Sequence, residues 1–441
     1  MTAVHSFPPG FLWGAATSAH QVEGDNRLND WWRFEQVAGR IAHGHVSGPA
    51  CRHYEFFERD FALAAGDGHN AHRFSIEWSR IEPERGRIDA REVAHYHQVL
   101  DALRRHRLVP MVTLDHFTHP LWIADHGGWE NPETIERFCE FVRLCAREYG
   151  GKVDWWCTIN EPDVYGFRSY SEGTWPPAKR DDSAALAVIA NMLEAHAHAY
   201  RILHEEDTAD ADGDGRPVWA GLAKNYPILE PARPWFPLDV LRAWAEQRVF
   251  NDALLAAIVS GEIALSIPGA RAVKRRVPEL AGSLDYLGLN YYTRWKVRMF
   301  APDPHVPVNG ATLSDLGWEV FPRGLEDVLM RLRALGTPIV VTENGFADAT
   351  DRVRPRALVE SLVHMARAMA RGVRVLGYFH WTLMDNFEWA EGYGGRFGLY
   401  RVDFDDPERP RTRTRSAEIF GRIVRANAIT AADLAEAGVT L

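Results

Sequence analysis

Short β-like runs recur along this chain with amphipathic helical stretches between them. That alternation restricts the fold more than any other feature. The runs are Phe11–Ser18, Ala71–Ile76, Val109–His116, Asp154–Asn160, Trp219–Tyr226, Asp285–Tyr292, Pro338–Gly345 and Arg374–Thr382, with Trp219–Tyr226 the weakest. The helical stretches include Val93–Arg107, Pro132–Tyr149, Ser183–Glu206 and Pro355–Arg371. In Pro132–Tyr149, residues Ile135, Phe138, Cys139, Val142 and Cys145 recur at helical spacing, which marks one buried face. Strand then helix, eight times, predicts the α/β class and a single (β/α)8 TIM barrel over residues 1–441. The chain exceeds the roughly 250 residues typical of that fold, so long βα loops carry the excess.

No linker or shift of composition marks a second domain. The one polar, flexible stretch is Asp207–Arg216. Asp210, Asp212, Asp214 and Gly215 match the start of a calcium loop, but its twelfth position is Gly221 where the motif needs Glu. It reads as a solvated surface loop. After Ile429 a short helix is expected, with Thr430 and Asp433 as a capping box.

Composition narrows the function. The chain is 46% hydrophobic, enough for a large core. Its 50 Lys and Arg against 60 Asp and Glu give a formal charge of −10, which argues against a nucleic-acid partner. Cys51, Cys139, Cys145 and Cys157 include no C-x-x-C pair, so a reducing compartment fits better than a disulfide scaffold. The N-terminus lacks a basic segment followed by an apolar one, and no run of ~18 apolar residues exists. A cytoplasmic protein with no signal peptide and no membrane partner is expected. The 16 Trp, 13 Tyr and 21 Phe fill cores for the most part, but aromatic faces also suit sugars.

In such a barrel the chemistry sits at the C-terminal ends of the strands. The fourth strand ends Asn160-Glu161-Pro162 and the seventh ends Thr342-Glu343-Asn344-Gly345. The two glutamates are 343 − 161 = 182 positions apart, yet strands four and seven lie on different sides of one barrel mouth. Two facing carboxyl groups are what glycoside hydrolysis requires, one protonated and one ionised. The bland alternative is a pair of strand-end glutamates neutralised by Arg or Lys. Other polar and aromatic groups gather at the same ends: His20, Gln21 and Glu23 after strand one, Arg73 on strand two, His116 on strand three, Asn290 and Tyr292 on strand six. Strand eight runs into Trp381 and then Asp385-Asn386-Phe387-Glu388-Trp389.

These pieces resemble glycoside hydrolase family 1, the β-glucosidase and β-galactosidase family. The matching segments are FLWGAATSAHQVEG (11–24), HRFSIEWSRIEP (72–83), TINEP (158–162), GLNYYT (288–293), TENG (342–345), GYFHWTLMDNFEW (377–389) and GYGGRFGL (392–399), in the family's order. The resemblance implies Glu161 as acid/base and Glu343 as nucleophile. It implies that Asn160 binds the sugar 2-hydroxyl, that Tyr292 and Arg73 contact the nucleophile, and that Asn290 lies beside the acid/base. Gln21, His116, Glu388 and Trp389 would grip the 3-, 4- and 6-hydroxyl edge, with Trp381 as the floor. The reaction would be a retaining double displacement on a β-glycoside or oligosaccharide, with the carboxyl groups ~5–5.5 Å apart. No metal and no organic cofactor is expected. Glucosides are the first expectation, with galactosides and fucosides beside them, and a homodimer is compatible with the sequence.

Departures from the pattern are few. Asp163 follows Glu161-Pro162 where many members carry an aromatic residue or Asn, and that position is expected to face the leaving group. The third strand ends Asp115-His116-Phe117-Thr118-His119-Pro120 where many members have H-W-D-L-P, and this variant resembles the archaeal β-glycosidase branch more. The 19 histidines show no H-E-x-x-H and no zinc spacing, and most are expected at the surface or on helices. Cys157 reads as a core cysteine, and the basic run Arg409–Arg415 as a solvated loop. Three alternatives stand beside the neutral-sugar reading. One is a 6-phospho-β-glycosidase of the same family, disfavoured by the charge of Glu388 and the lack of a Lys in Gly394-Gly395-Arg396. The others are a non-catalytic sugar-binding barrel and an unrelated barrel enzyme such as an aldolase.

Overall fold

The computed structural model describes residues 3–301 and 303–440. Eight parallel strands close into a barrel: β1 (Leu12–Ala16), β2 (Ala71–Ser75), β3 (Val109–Asp115), β4 (Trp155–Asn160), β5 (Trp219–Asn225), β6 (Tyr286–Tyr291), β7 (Ile339–Asn344) and β8 (Val375–Trp381). They pair in chain order, and β8 closes on β1 with Gly377 opposite Leu12 and Trp381 opposite Ala16. Each strand lies inside one of the runs identified in the sequence. They read as apolar runs because both faces are covered, one by the barrel interior and one by helices.

The interior is filled. Leu12, Ala71, Met111, Trp155, Trp219, Tyr286, Val340 and Phe379, one from each strand, pack into a single cluster. Trp155 and Trp219 stack there with ring centroids 4.8 Å apart. This plug leaves only the C-terminal mouth for polar side chains.

The long helices fall where periodicity places them: Ala90–Arg105, Glu133–Tyr149, Asp182–Glu206 and Arg354–Ala370. Asp89 and Asp181 cap the first and third by accepting backbone N–H bonds of the first turn. The C-terminal helix Ala431–Ala437 starts with the expected capping box of Thr430 and Asp433. No helix among the described residues is long and apolar enough to cross a membrane.

One expectation needs correction. The basic run near the C-terminus is not a solvated loop. Arg411–Arg413 is a strand paired with Tyr400–Val402, and the Arg411 side chain is only 2% exposed, donating to Asp60 at 2.8 Å and to the Cys51 carbonyl. Asp60 also meets His53, so the buried cation has its counter-charge. Most histidines do lie on helices or toward the surface, with a small group in the core. His69, His72, His119 and His380 are buried outside helices. His119 lies between Asp30 and Asp115, at 3.1 and 3.0 Å, and those carboxylates overcome the burial to push it up to about 10.

At the opposite end of the barrel from the mouth, Asp154 meets the loop Asp207–Arg216. Its carboxylate accepts the backbone N–H groups of Ala211 and Asp212. Asp154, Asp210 and Asp212 bring oxygens within 4.8 Å of one another.

Candidate active site

Glu343 closes β7, and its carboxylate is held from two sides. Arg73, fully buried on β2, donates to Oε1 at 2.5 Å, and the Tyr292 hydroxyl donates to Oε2 at 2.5 Å. The guanidinium is itself fixed by the Thr342 carbonyl, the Thr113 hydroxyl and Asn160 Oδ1. Burial pushes the Glu343 carboxyl above its ordinary value, and Arg73, then Tyr292, pull it back. Gly345, two residues on, has no room for a side chain, because a Cβ there would run into the Trp381 carbonyl.

Glu161 follows β4 and sits at the head of a short helix, Pro162–Gly166. Its backbone is left-handed, with φ 46° and ψ 60°. For a non-glycine residue that conformation is costly, and it persists only where neighbours over-determine it. The Glu161 N–H donates to the Ala223 carbonyl at 2.8 Å, and its own carbonyl accepts from Tyr165 N–H at 3.0 Å. Among the described residues the carboxyl receives only amide donors, Asn290 Nδ2 at 2.7 Å and Asn225 Nδ2 at 3.1 Å. Burial, and after it the charge of Glu343, raise Glu161 to about 8. The two carboxyl groups therefore differ in kind. Glu343 has a cation and a phenol, whereas Glu161 has neutral amides, so Glu343 ionises first.

Asn160 and Asn290 tie the pair together. Asn160 Oδ1 accepts from Arg73 and from Asn290 Nδ2, at 2.7 and 3.1 Å. Asn160 Nδ2 meets His116 Nε2 at 3.4 Å. His116 is buried, and its Nδ1 has no partner among the described residues. Burial, helped by Arg73, keeps the ring neutral. His116 lies roughly parallel to both Trp381 and Trp389, with centroids 6.0 and 6.2 Å away. Gln21 Nε2 donates to the Phe387 carbonyl at 2.9 Å and approaches Glu388 at 3.5 Å. Trp381 Nε1 approaches the same Glu388 oxygen at 3.4 Å. Desolvation raises Glu388 to about 8. The eleven residues that the resemblance singles out thus converge on the mouth, whereas Glu23 is held by Arg80 and Tyr96 and His20 by Asn29.

Two features were not legible from the sequence. Asn225, at the end of β5, donates to Glu161, and the only signal for it was a strand-end Asn in the weakest of the eight runs. Asp163 does not face a leaving group. It is 1% exposed and pairs with Lys224 Nζ at 2.6 Å, because the turn beginning at Pro162 carries its side chain back toward β5. Cys157 is a buried core residue whose thiol is pushed up by desolvation, with Arg73 3.8 Å away.

A closed barrel with a buried pair of unlike carboxyl groups at its C-terminal mouth defines a glycoside-cleaving enzyme. The chain matches the model of glycosyl hydrolase family 1 over residues 3–429 and belongs to that family. It is a retaining β-glycosidase. A β-galactosidase from Pyrococcus woesei is 33% identical over 96% of this chain and 98% of that protein. β-Glucosidase A from Thermotoga maritima is 32% identical over 92% of this chain and 95% of that protein. The solved structure of a β-glycosidase from Pyrococcus horikoshii superposes with a TM-score of 0.89 at 35% identity, covering 100% of this chain and 99% of that one.

Proposed function

We propose that the chain is an exo-acting β-glucosidase that also takes β-galactosides and β-fucosides, with Glu343 as nucleophile and Glu161 as acid/base. The observation that carries the reading is the unlike solvation of the two carboxyl groups, Arg73 and Tyr292 on one and amides on the other. Glu161, protonated at neutral pH, gives its proton to the departing glycosidic oxygen as Glu343 attacks the anomeric carbon. The glycosyl ester cancels the charge of Glu343, so Glu161 becomes more acidic and takes a proton from the incoming water. Two inversions return the β-anomer. Asn160 is assigned to the 2-hydroxyl, and Trp381 to the apolar face of the ring. Gln21, His116, Glu388 and Trp389 are assigned to the far edge. Gln21, His116 and Glu388 accept either orientation of the 4-hydroxyl.

A 6-phosphate is not expected to fit. The groups hydrogen-bonded to Glu388 are Gln21 and Trp381, neither of them a cation. With Glu388 at about 8, repulsion by its charge applies only at alkaline pH, so at neutral pH the missing counter-charge is the barrier. The four cysteines are buried and unpaired, which supports a cytoplasmic setting.

Time-resolved proton NMR with 4-nitrophenyl β-glucoside, β-galactoside, β-fucoside and 6-phospho-β-glucoside tests the proposal. The β-sugar is expected first, mutarotating later, with the glucoside fastest and the phosphorylated substrate inert. Initial release of the α-sugar would overturn the double displacement. Turnover of the phosphorylated substrate alone would overturn the neutral-sugar assignment.

A further inference from the structure

Behind Glu161, away from the sugar recess, lies a buried ion pair that the reaction above does not use. Lys224 on β5 and Asp163 on the Glu161 turn are each 1% exposed and meet at 2.6 Å. The ammonium also donates to the Asn225 carbonyl and to Asn251 Oδ1, the latter at 3.2 Å. One cation therefore joins three segments: the turn that begins at Glu161, the end of β5, and the helical stretch 247–252. Two of the three touch Glu161 directly. Asp163 shares its turn, and Asn225 holds its carboxyl.

Burying such a pair is not explained by stability. Desolvating two charges cancels most of their attraction, and apolar replacements of similar volume are often neutral or stabilising. What a buried pair does supply is fixed geometry and fixed charge beside its neighbours. Its neighbour here is a titrating carboxyl in a strained backbone conformation.

We propose that the Asp163–Lys224 pair is a positioning element for the acid/base, holding Glu161 in its left-handed turn and balancing the charge around its proton. The inference rests on Glu161 being the acid/base. The charged and titratable groups around Glu161 are Asp163 on its own turn, Lys224 on β5, Tyr292 just beyond β6, Glu343 on β7 and Glu388 beyond β8, with Arg73 reaching it through Asn160. Asp163 adds a negative charge that favours protonated Glu161, and Lys224 cancels it. Intact, the pair is neutral, and the charge of Glu343 is left as the main lever on the acid. Esterification of Glu343 then switches Glu161 from acid to base without a competing field. Asp252 also faces Lys224, so the ammonium keeps a second counter-charge.

The test compares D163N, K224Q and the double variant with wild type. Amides at both positions preserve hydrogen bonds while removing charge. The measurement is kcat/KM against pH for 4-nitrophenyl β-glucoside and for methyl β-glucoside, a poor leaving group. D163N is expected to lower the basic limb and K224Q to raise it, each by about one unit, and the double variant to return it close to wild type. The single variants are expected to lose more activity on the methyl glucoside than on the nitrophenyl glucoside. The proposal is overturned if the limb stays put in both single variants, or if their shifts fail to cancel in the double. Should one single variant not fold by circular dichroism, the other and the double still give that comparison. E161Q separates this from the underlying assignment. If the basic limb survives in E161Q, Glu161 is not the acid and the whole reading falls. If E161Q abolishes the limb while the pair variants leave it unmoved, only the positioning role falls.

Discussion

The charge of Glu343 should set much of the acidity of Glu161, and one substitution isolates that contribution. Glu343→Gln keeps the shape of the side chain. Its carbonyl can still accept from Arg73, and its amide can donate to the Tyr292 oxygen, so the network around Asn160 and Asn290 has no reason to collapse. Only the negative charge is removed. At the ~5.5 Å separation of a retaining pair, two unit charges repel by roughly 3 kcal/mol at an effective dielectric of about 20, which is ~2 pKa units. Glu161, held at about 8 by burial and by this charge, should therefore fall to near 6 in the variant. Desolvation is the larger cause and does not change, so the value should stay above that of an ordinary carboxyl.

The assay is a 13C NMR titration of protein labelled at the glutamate side-chain carboxyls, with the Glu161 signal assigned by its loss in Glu161→Gln. In wild type the sign follows directly. A raised carboxyl is protonated below its pKa, so the acid is competent at neutral pH and is lost as pH rises through about 8. The basic limb of kcat/KM should lie there, and trapping the nucleophile with a slow 2-fluoro glycosyl donor should lower the titration of Glu161 as Glu343→Gln does. A Glu161 signal that titrates identically in wild type and Glu343→Gln would refute the repulsion argument, and with it the account of how one group serves as acid and then as base.

Further expectations are simpler. Glu343→Ala should abolish turnover and recover glycosyl transfer with an α-glycosyl fluoride or with added formate, read by product NMR; near-native hydrolysis would remove the residue from the mechanism. Glu161→Ala should slow methyl β-glucoside far more than a dinitrophenyl glycoside, and added azide should yield β-glycosyl azide, whereas α-azide would exchange the two roles. Glu388→Ser should raise KM for the glucoside about two- to tenfold at neutral pH, as expected for losing a neutral hydrogen bond of ~0.5–1.5 kcal/mol, and should confer no 6-phosphoglucoside turnover, because serine brings no cation.

What the sequence displays and what it conceals divide along one physical line. The eight strands are legible because burial on both faces writes an apolar run into each, and the strand ends are legible because a polar residue directly after such a run has few structural reasons to be there. Asn160, Asn290 and Glu343 stand at such ends, and Arg73 is a charge inside the second run. Concealed are the buried charges whose partners lie far along the chain. Arg411 reads as part of a basic loop because Asp60 is 351 positions away. His119 reads as an ordinary histidine because Asp30 is 89 positions away. Asp163 reads as facing the leaving group because Lys224 is 61 positions away, in the weakest of the eight runs. A charge inside a protein persists only with a partner, so each isolated charge in a run that otherwise reads as buried is itself a signal that one exists. Lys224, flanked by apolar residues in Trp219–Asn225, carries that signal. Of the four it is the one whose partner shares a turn with Glu161, so the acid/base is set both by the strand-end carboxylate across the mouth and by an ion pair that only the fold assembles.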